Sequence, residues 1–391
     1  MICKKRKTAA RVPGENAKLA LDTILQKPTR GIASWLVHLM DHAYLERLAG
    51  AKPGDYKKDP ERVYLAAQRA MGTCMIDQYI PENPLSMGDC GFEGAAKGAT
   101  TGAETIVCDS MVIASPEAVV EHMERFAFPA IRSAISAFDE EAHVREILAR
   151  EAAIQEKLAP DILKAPYGIV PFPYFAYSTY GYVNYFTAYA LYPEVMEKHF
   201  ALQADLALIY NRAAARAYVE GHLPPLHRSD SDMADSRGTP VDIRSLDRIW
   251  FPHLARCMEP VLKAGVRAIW HCDGNLMEMV PRLLDVGFRG FQGFQYEDGM
   301  DYEKICRMKT RDGDELLIIA GVSVTRTLPH GTPGDVKREL AWLVGNGPKT
   351  GLFLACSSSV TPGVPWENIE TLVEGLRYYR THGRGTGKPR L

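Results

Sequence analysis

The C-terminal half of the chain alternates short apolar runs with capped helical patterns, and this alternation restricts the fold more than any other feature. The runs are Val266 to His271, Phe288 to Gln295, Leu316 to Val324 and Leu352 to Cys356. Strands covered on both faces need near-continuous apolar runs, and their alternation with helices predicts βα units around a parallel sheet. Between them, Thr332-Pro333-Gly334-Asp335 offers an N-cap, a proline at the first helical position and an acid in the first turn. Ser115-Pro116-Glu117 opens another helix in the same way, and a last helix is expected from Trp366 to Tyr379, ending before Gly383. Upstream, a break at Pro28 is followed by Ile32 to Val37, an apolar run suited to a first buried strand. The predicted fold is α/β, a (β/α)8 TIM barrel with an N-terminal helical extension over residues 1–30.

With 391 residues, no internal repeat and no linker-like stretch, the chain reads as a single domain over 1–391. A net charge of −2 gives no electrostatic reason to expect nucleic acid. The run Lys4-Lys5-Arg6-Lys7 reads as a solvated tail. No opening segment has the apolar length of a signal peptide or membrane span, so the expected location is cytoplasmic, away from membranes. The eight cysteines form no CxxC pair and are expected as thiols.

In a barrel the chemistry lies at the C-terminal ends of the strands. The first such end is Trp270-His271-Cys272-Asp273-Gly274-Asn275, where strand alternation puts His271 and Asp273 on one face and Cys272 on the other. The second delivers Cys356 just before three serines. His271, Asp273 and Cys356 together meet the usual description of a catalytic zinc site, with three ligands and one open position. Two acidic groupings add candidate acids, bases or substrate anchors: Asp230 and Asp232 in the stretch His227 to Asp235, and Glu297 beside Asp298. A third feature, Phe172 to Phe186, concentrates aromatics far above the chain average of 9%. Read as a strand end and a tyrosine-rich loop, it suits either core and subunit surfaces or a wall for a flat ligand. Tyr174, Phe175, Tyr177 and Tyr180, with His227 and Asn275, are the candidate substrate-binding residues.

The order His271-Cys272-Asp273-Gly274-Asn275, Gly287-Phe288, Gln292-Gly293-Phe294-Gln295, Gly321-Val322-Ser323, Gly331-Thr332-Pro333 and Val364-Pro365-Trp366-Glu367-Asn368 resembles the C-terminal half of the uroporphyrinogen decarboxylase-like superfamily. The likeness spans roughly residues 165–380. True decarboxylases of that superfamily carry an N-terminal arginine-rich substrate motif that has no equivalent around Trp35. The corrinoid-dependent branch looks like a set of zinc methyltransferases with a His-x-Cys pair and a distant cysteine. His271 and Cys356 match the first and last of these positions, whereas Asp273 stands where thiol-methylating members have cysteine. A carboxylate there makes the metal a harder Lewis acid, suited to an ether oxygen, and either Asp273 or Glu297 is the expected oxygen ligand.

The resemblance therefore implies a zinc-dependent O-demethylase component. It would move a methyl group from a methoxylated aromatic substrate to the cob(I)amide of a partner corrinoid protein. A homodimer is among the expected assemblies. Two alternatives remain open: a metal-free carboxy-lyase using Asp230 or Asp232, and a non-catalytic barrel that carries a corrinoid or another small molecule.

Overall fold

A computed structural model describes residues 13–82, the strand pairs Met87–Gly88 and Gly91–Phe92, and residues 106–385. The run Lys4 to Lys7, with Cys3 and Cys90, lies outside the described residues. Each predicted C-terminal run contains a strand: β5 (Arg267–His271), β6 (Gly290–Gln292), β7 (Leu317–Val322) and β8 (Leu352–Cys356). They follow β1 (Ala33–Ser34), β2 (Met75–Ile76), β3 (Leu163–Lys164) and β4 (Leu226–Asp230). A six-stranded sheet runs in the order β1, β8, β7, β6, β5, β4, with every neighbour parallel. A parallel bridge from Trp35 to Met75 carries it on to β2, which pairs in parallel with β3. The strands thus follow one another around an α/β barrel. Among the described residues, no backbone ladder joins β3 to β4.

Strand alternation divides the core in two. Leu226, Ile269, Leu317, Ile319, Phe353 and Ala355 belong to one cluster, inside the barrel. Ala268, Trp270, Ile318, Ala320, Leu352, Leu354 and Cys356 belong to the other, under the surrounding helices. The predicted N-terminal extension contains a helix, Glu15–Ile24, whose Ala17, Ala20 and Ile24 join the interior cluster. Gln26, just beyond it, donates to the Glu315 carbonyl at 2.7 Å and accepts from Arg267, both beside strand starts. The helix therefore closes the N-terminal end of the barrel and leaves the opposite end for the site.

The capping predictions can be read atom by atom. Thr332 accepts from the Asp335 N–H while Asp335 accepts from the Thr332 N–H, a reciprocal capping box. Ser115 accepts from the Ala118 N–H. The last helix runs Trp366–His382, past the expected Tyr379, to a left-handed Gly383 (φ 64°). The aromatic segment differs from its reading as a strand and loop. Residues Tyr177–Tyr180 and Tyr182–Leu191 are helical, broken by Gly181 at φ 79°. Phe186 lies four residues after Tyr182 and Tyr189 four after Tyr185, a helical spacing that a strand-like composition concealed. Six cysteines are free thiols, as expected, namely Cys74, Cys108, Cys257, Cys272, Cys306 and Cys356. No helix among the described residues is long and apolar enough to cross a membrane.

Burial pushes the His199 imidazole down to about 4. The unfolded chain, with histidine near 6.5, then binds more protons than the native one as pH falls. Stability is full above about pH 6.5 and declines towards pH 4, by roughly 3 kcal/mol from this one group. Urea unfolding across that range should show a shallower loss in His199→Phe than in wild type.

Candidate active site at the barrel mouth

The C-terminal ends of β4 and β5 bring three predicted residues together. Asp232, His271 and Asp273 each offer one ligand atom, and these atoms lie within 4.8 Å of one another. His271 ends β5 and is 8% exposed. Its Nδ1 lies 3.2 Å from the Gln292 carbonyl. A carbonyl only accepts, so Nδ1 carries the proton and Nε2 keeps its lone pair for the mouth. The ring has room because residue 293 is glycine. A Cβ there would stand 2.5 Å from His271 Nδ1, and the backbone sits at φ 77°.

Asp273 donates its N–H to Asp232 Oδ1 at 3.2 Å, which ties the two loops together. Its Oδ2 accepts from the Ser358 hydroxyl at 3.4 Å, while its buried Oδ1 has no hydrogen-bond partner among the described residues. Burial raises the Asp273 carboxyl, and Asp232 and Asp230 push the same way against His271 and Ser358.

Asp230 sits beside this group but is already engaged. Its Oδ2 accepts from Arg228 Nη1 at 2.7 Å and from the Tyr167 hydroxyl at 3.0 Å, and its Oδ1 is 3.9 Å from His271 Nε2. The Arg228 side chain is 2% exposed and also donates to Asp77, at 2.7 Å, whose side chain is 1% exposed. Asp77 in turn accepts from Trp35 Nε1 at 2.9 Å. Burial alone would raise Asp77, but Arg228 more than offsets it and the carboxyl is lowered overall. None of Trp35, Asp77, Tyr167 or Gln292 was chosen from the sequence. A usable signal existed: Arg228 shares a strand face with Leu226 and Asp230, so a cation was bound to enter the barrel and needed an acid opposite it.

The other candidates lie elsewhere. Cys356 is buried under the helices with Leu352 and Leu354, its thiol pushed up by burial, and the structure does not bring it to His271 and Asp273. Cys272 packs into the same outer cluster, as alternation required. Glu297, in the single 3-10 turn after β6, accepts from Ser323 at 2.8 Å and from Thr325, outside the Asp232, His271 and Asp273 group. Tyr177 reaches the site, its hydroxyl 3.5 Å from the Asp232 carbonyl. Phe175 is packed among Tyr185, Phe186, Tyr189 and Phe200. Tyr180 is buried against His122 Nδ1 at 3.1 Å, and Tyr174 is 48% exposed. His227 is buried on the strand face opposite Arg228. Asn275 accepts from the Met277 N–H at 3.2 Å and shapes the turn after β5.

No protein-family profile and no curated protein sequence matches the chain. Among solved structures it is similar to a methyltransferase from Methanosarcina mazei, with a TM-score of 0.53 and 18% identity over 93% of this chain and 98% of that one. It also matches a B12-independent methionine synthase from Shewanella sp. W3-18-1 in complex with selenomethionine, at a TM-score of 0.40 and 13% identity, over 60% of this chain and 65% of that one. At these identities the likeness is one of fold. The chain is a TIM barrel with a histidine and carboxylates gathered at the C-terminal mouth.

Arg228→Met should destabilise the protein by about 3–5 kcal/mol, because Asp77 would be left buried and unpaired. Adding Asp77→Asn should recover a substantial part of that loss in urea unfolding. Recovery would separate the charge imbalance from the lost packing of the arginine side chain.

Proposed function

We propose that this chain is a zinc-dependent methyltransferase of the uroporphyrinogen decarboxylase-like superfamily. It moves a methyl group from a methoxylated aromatic substrate to the cob(I)amide of a partner corrinoid protein. The observation that carries the reading is the convergence of Asp232, His271 and Asp273, with His271 Nε2 left free by the Gln292 carbonyl. Further support comes from the ordered motifs shared with the superfamily and from the common fold with a protein described as a methyltransferase.

The residues present fit a metal. Histidine and carboxylates are accepted zinc ligands, the unpartnered Asp273 Oδ1 needs a cation or donor, and the His271 tautomer is fixed by an outer hydrogen bond. Asp232 takes the place expected for Cys356, giving a donor set of one nitrogen and two oxygens. Bound there, the metal would supply a Lewis acid for an ether oxygen. The protein's own part is placement. Arg228 and Tyr167 hold Asp230 beside His271, Asp273 pins Asp232 through its N–H, and Tyr177 walls one side. In the reaction the methyl carbon–oxygen bond breaks with its electron pair left on oxygen, and the methyl group passes to the corrinoid acceptor. The alternative carboxy-lyase would need a cation to anchor a carboxylate, but Arg228 is already enclosed between Asp77 and Asp230.

Elemental analysis of the purified protein should find about one zinc per chain. It should be lost in His271→Ala and Asp273→Ala and retained in Cys356→Ser. Methyl transfer from 2-methoxyphenol to supplied corrinoid protein should fall by at least about a hundredfold in the two zinc-free variants. Wild-type rates from a metal-free preparation would sink the zinc reading, and zinc binding without any transfer would sink the reaction.

A further inference from the structure

We propose that the chain has a second small-molecule site, away from the barrel mouth, that takes an uncharged aromatic molecule. The site is a cavity of about 560 Å³ between residues 122–150, the helix Pro193–Glu220 and the segment 168–180. That volume falls inside the roughly 300–1,000 Å³ of small-molecule pockets. Phe126, Phe172, Tyr174, Tyr180, Tyr210 and Ile131 are among its walls, so a flat ring would meet ring faces and edges on several sides.

The polarity of the ligand follows from the wall, where the acids and the arginine each face a partner, while two buried imidazole nitrogens, His143 Nε2 and His199 Nδ1, have no hydrogen-bond partner among the described residues. Asp109 is 3.0 Å from His122, and Glu146 is 3.7 Å from His143. Arg150 donates to Glu151 at 3.3 Å and to the Tyr167 carbonyl at 3.1 Å. Gln203 Oε1 accepts from the Tyr174 N–H at 2.9 Å, so its amide donates to His199 Nε2 at 3.1 Å. Burial keeps His199 neutral as well. A charged ligand would give up water and meet charges that are already engaged, whereas an uncharged ring bearing a hydroxyl fits both the aromatic walls and the open imidazole nitrogens.

The cavity is distinct from the mouth, since Asp232, His271 and Asp273 do not line it. The segment around it faces both ways. Tyr167 and Tyr177 turn to Asp230 and Asp232, while Phe172, Tyr174 and Tyr180 turn to the cavity. The proposal stands independently of the methyl-transfer reading.

The test is a fluorescence titration of the full chain with 2-naphthol, an uncharged two-ring probe. Wild type should show one saturable site. Ala207→Trp, which fills the cavity, and Ile131→Trp, at its half-exposed edge, should each weaken binding by about tenfold or more, with the fold checked by circular dichroism. His271→Ala should bind within about twofold of wild type. If Ala207→Trp does not fold, Ile131→Trp decides. Absence of saturable binding, unchanged binding in the folded tryptophan variants, or a comparable loss in His271→Ala would overturn the proposal, the last by placing the probe at the mouth.

Discussion

The buried Arg228 guanidinium is the interaction on which the mouth of this barrel depends. No backbone ladder crosses from β3 to β4 among the described residues, so the sheet is open at that point. Side chains span the gap instead. Arg228 on β4 reaches Asp77, just beyond β2, and Tyr167, just beyond β3, donates to Asp230 at the end of β4. The Arg228 cation also lies 5.1 Å from the Trp35 ring centre and 4.7 Å from that of Tyr167. Four consecutive strands around the barrel are thereby tied to one charge. Because Asp230 is also 3.9 Å from His271, the brace that closes the seam fixes the position of one wall of the site.

The same brace sorts the carboxylates. Arg228 offsets the charges of Asp77 and Asp230 only in part, being one cation between two acids. Neither Asp232 nor Asp273 is paired with Arg228, and the Asp273 carboxyl is raised first by burial and then by the charges of Asp232 and Asp230, against His271 and Ser358. One pair of acids thus serves the frame and the other remains free for chemistry. A divalent cation at Asp232, His271 and Asp273 would complete the charge balance that Arg228 leaves unfinished.

What could be read from the sequence follows the same physics. The C-terminal strands announce themselves because parallel strands covered on both faces are apolar throughout. The His271 and Asp273 pair was legible because polar residues two apart at a strand end share a face. Cys356 was not, because β8 is apolar on both faces and nothing in Leu352 to Cys356 says which parity points inward. Only its partition, with Phe353 and Ala355 inside and Leu352, Leu354 and Cys356 outside, reveals that the thiol faces the helices. Asp232 suffered the opposite problem: it lies on a loop after β4, where no periodicity places it, and the Asp273 N–H locates it. The aromatic segment misled through composition, since tyrosine and phenylalanine favour strands unless their helical spacing is noticed.

That segment also shows how much one stretch of chain can divide its work. Residues 167–180 follow β3, and their side chains are divided between two environments, the mouth and the cavity. Tyr167 completes the hydrogen bonding of Asp230, and Tyr177 stands over the Asp232 backbone. Arg150, on the cavity wall, donates to the carbonyl of the same Tyr167. A displacement of the cavity wall would therefore reach Asp230 through a single residue, with a hydrogen bond at each end. The Asp230 carboxylate is held on its far side by Arg228, which is itself pinned to Asp77 and resists such a displacement. Arg228 and Tyr167 are thus adjacent links of one network that ends at Asp230, 3.9 Å from His271 Nε2.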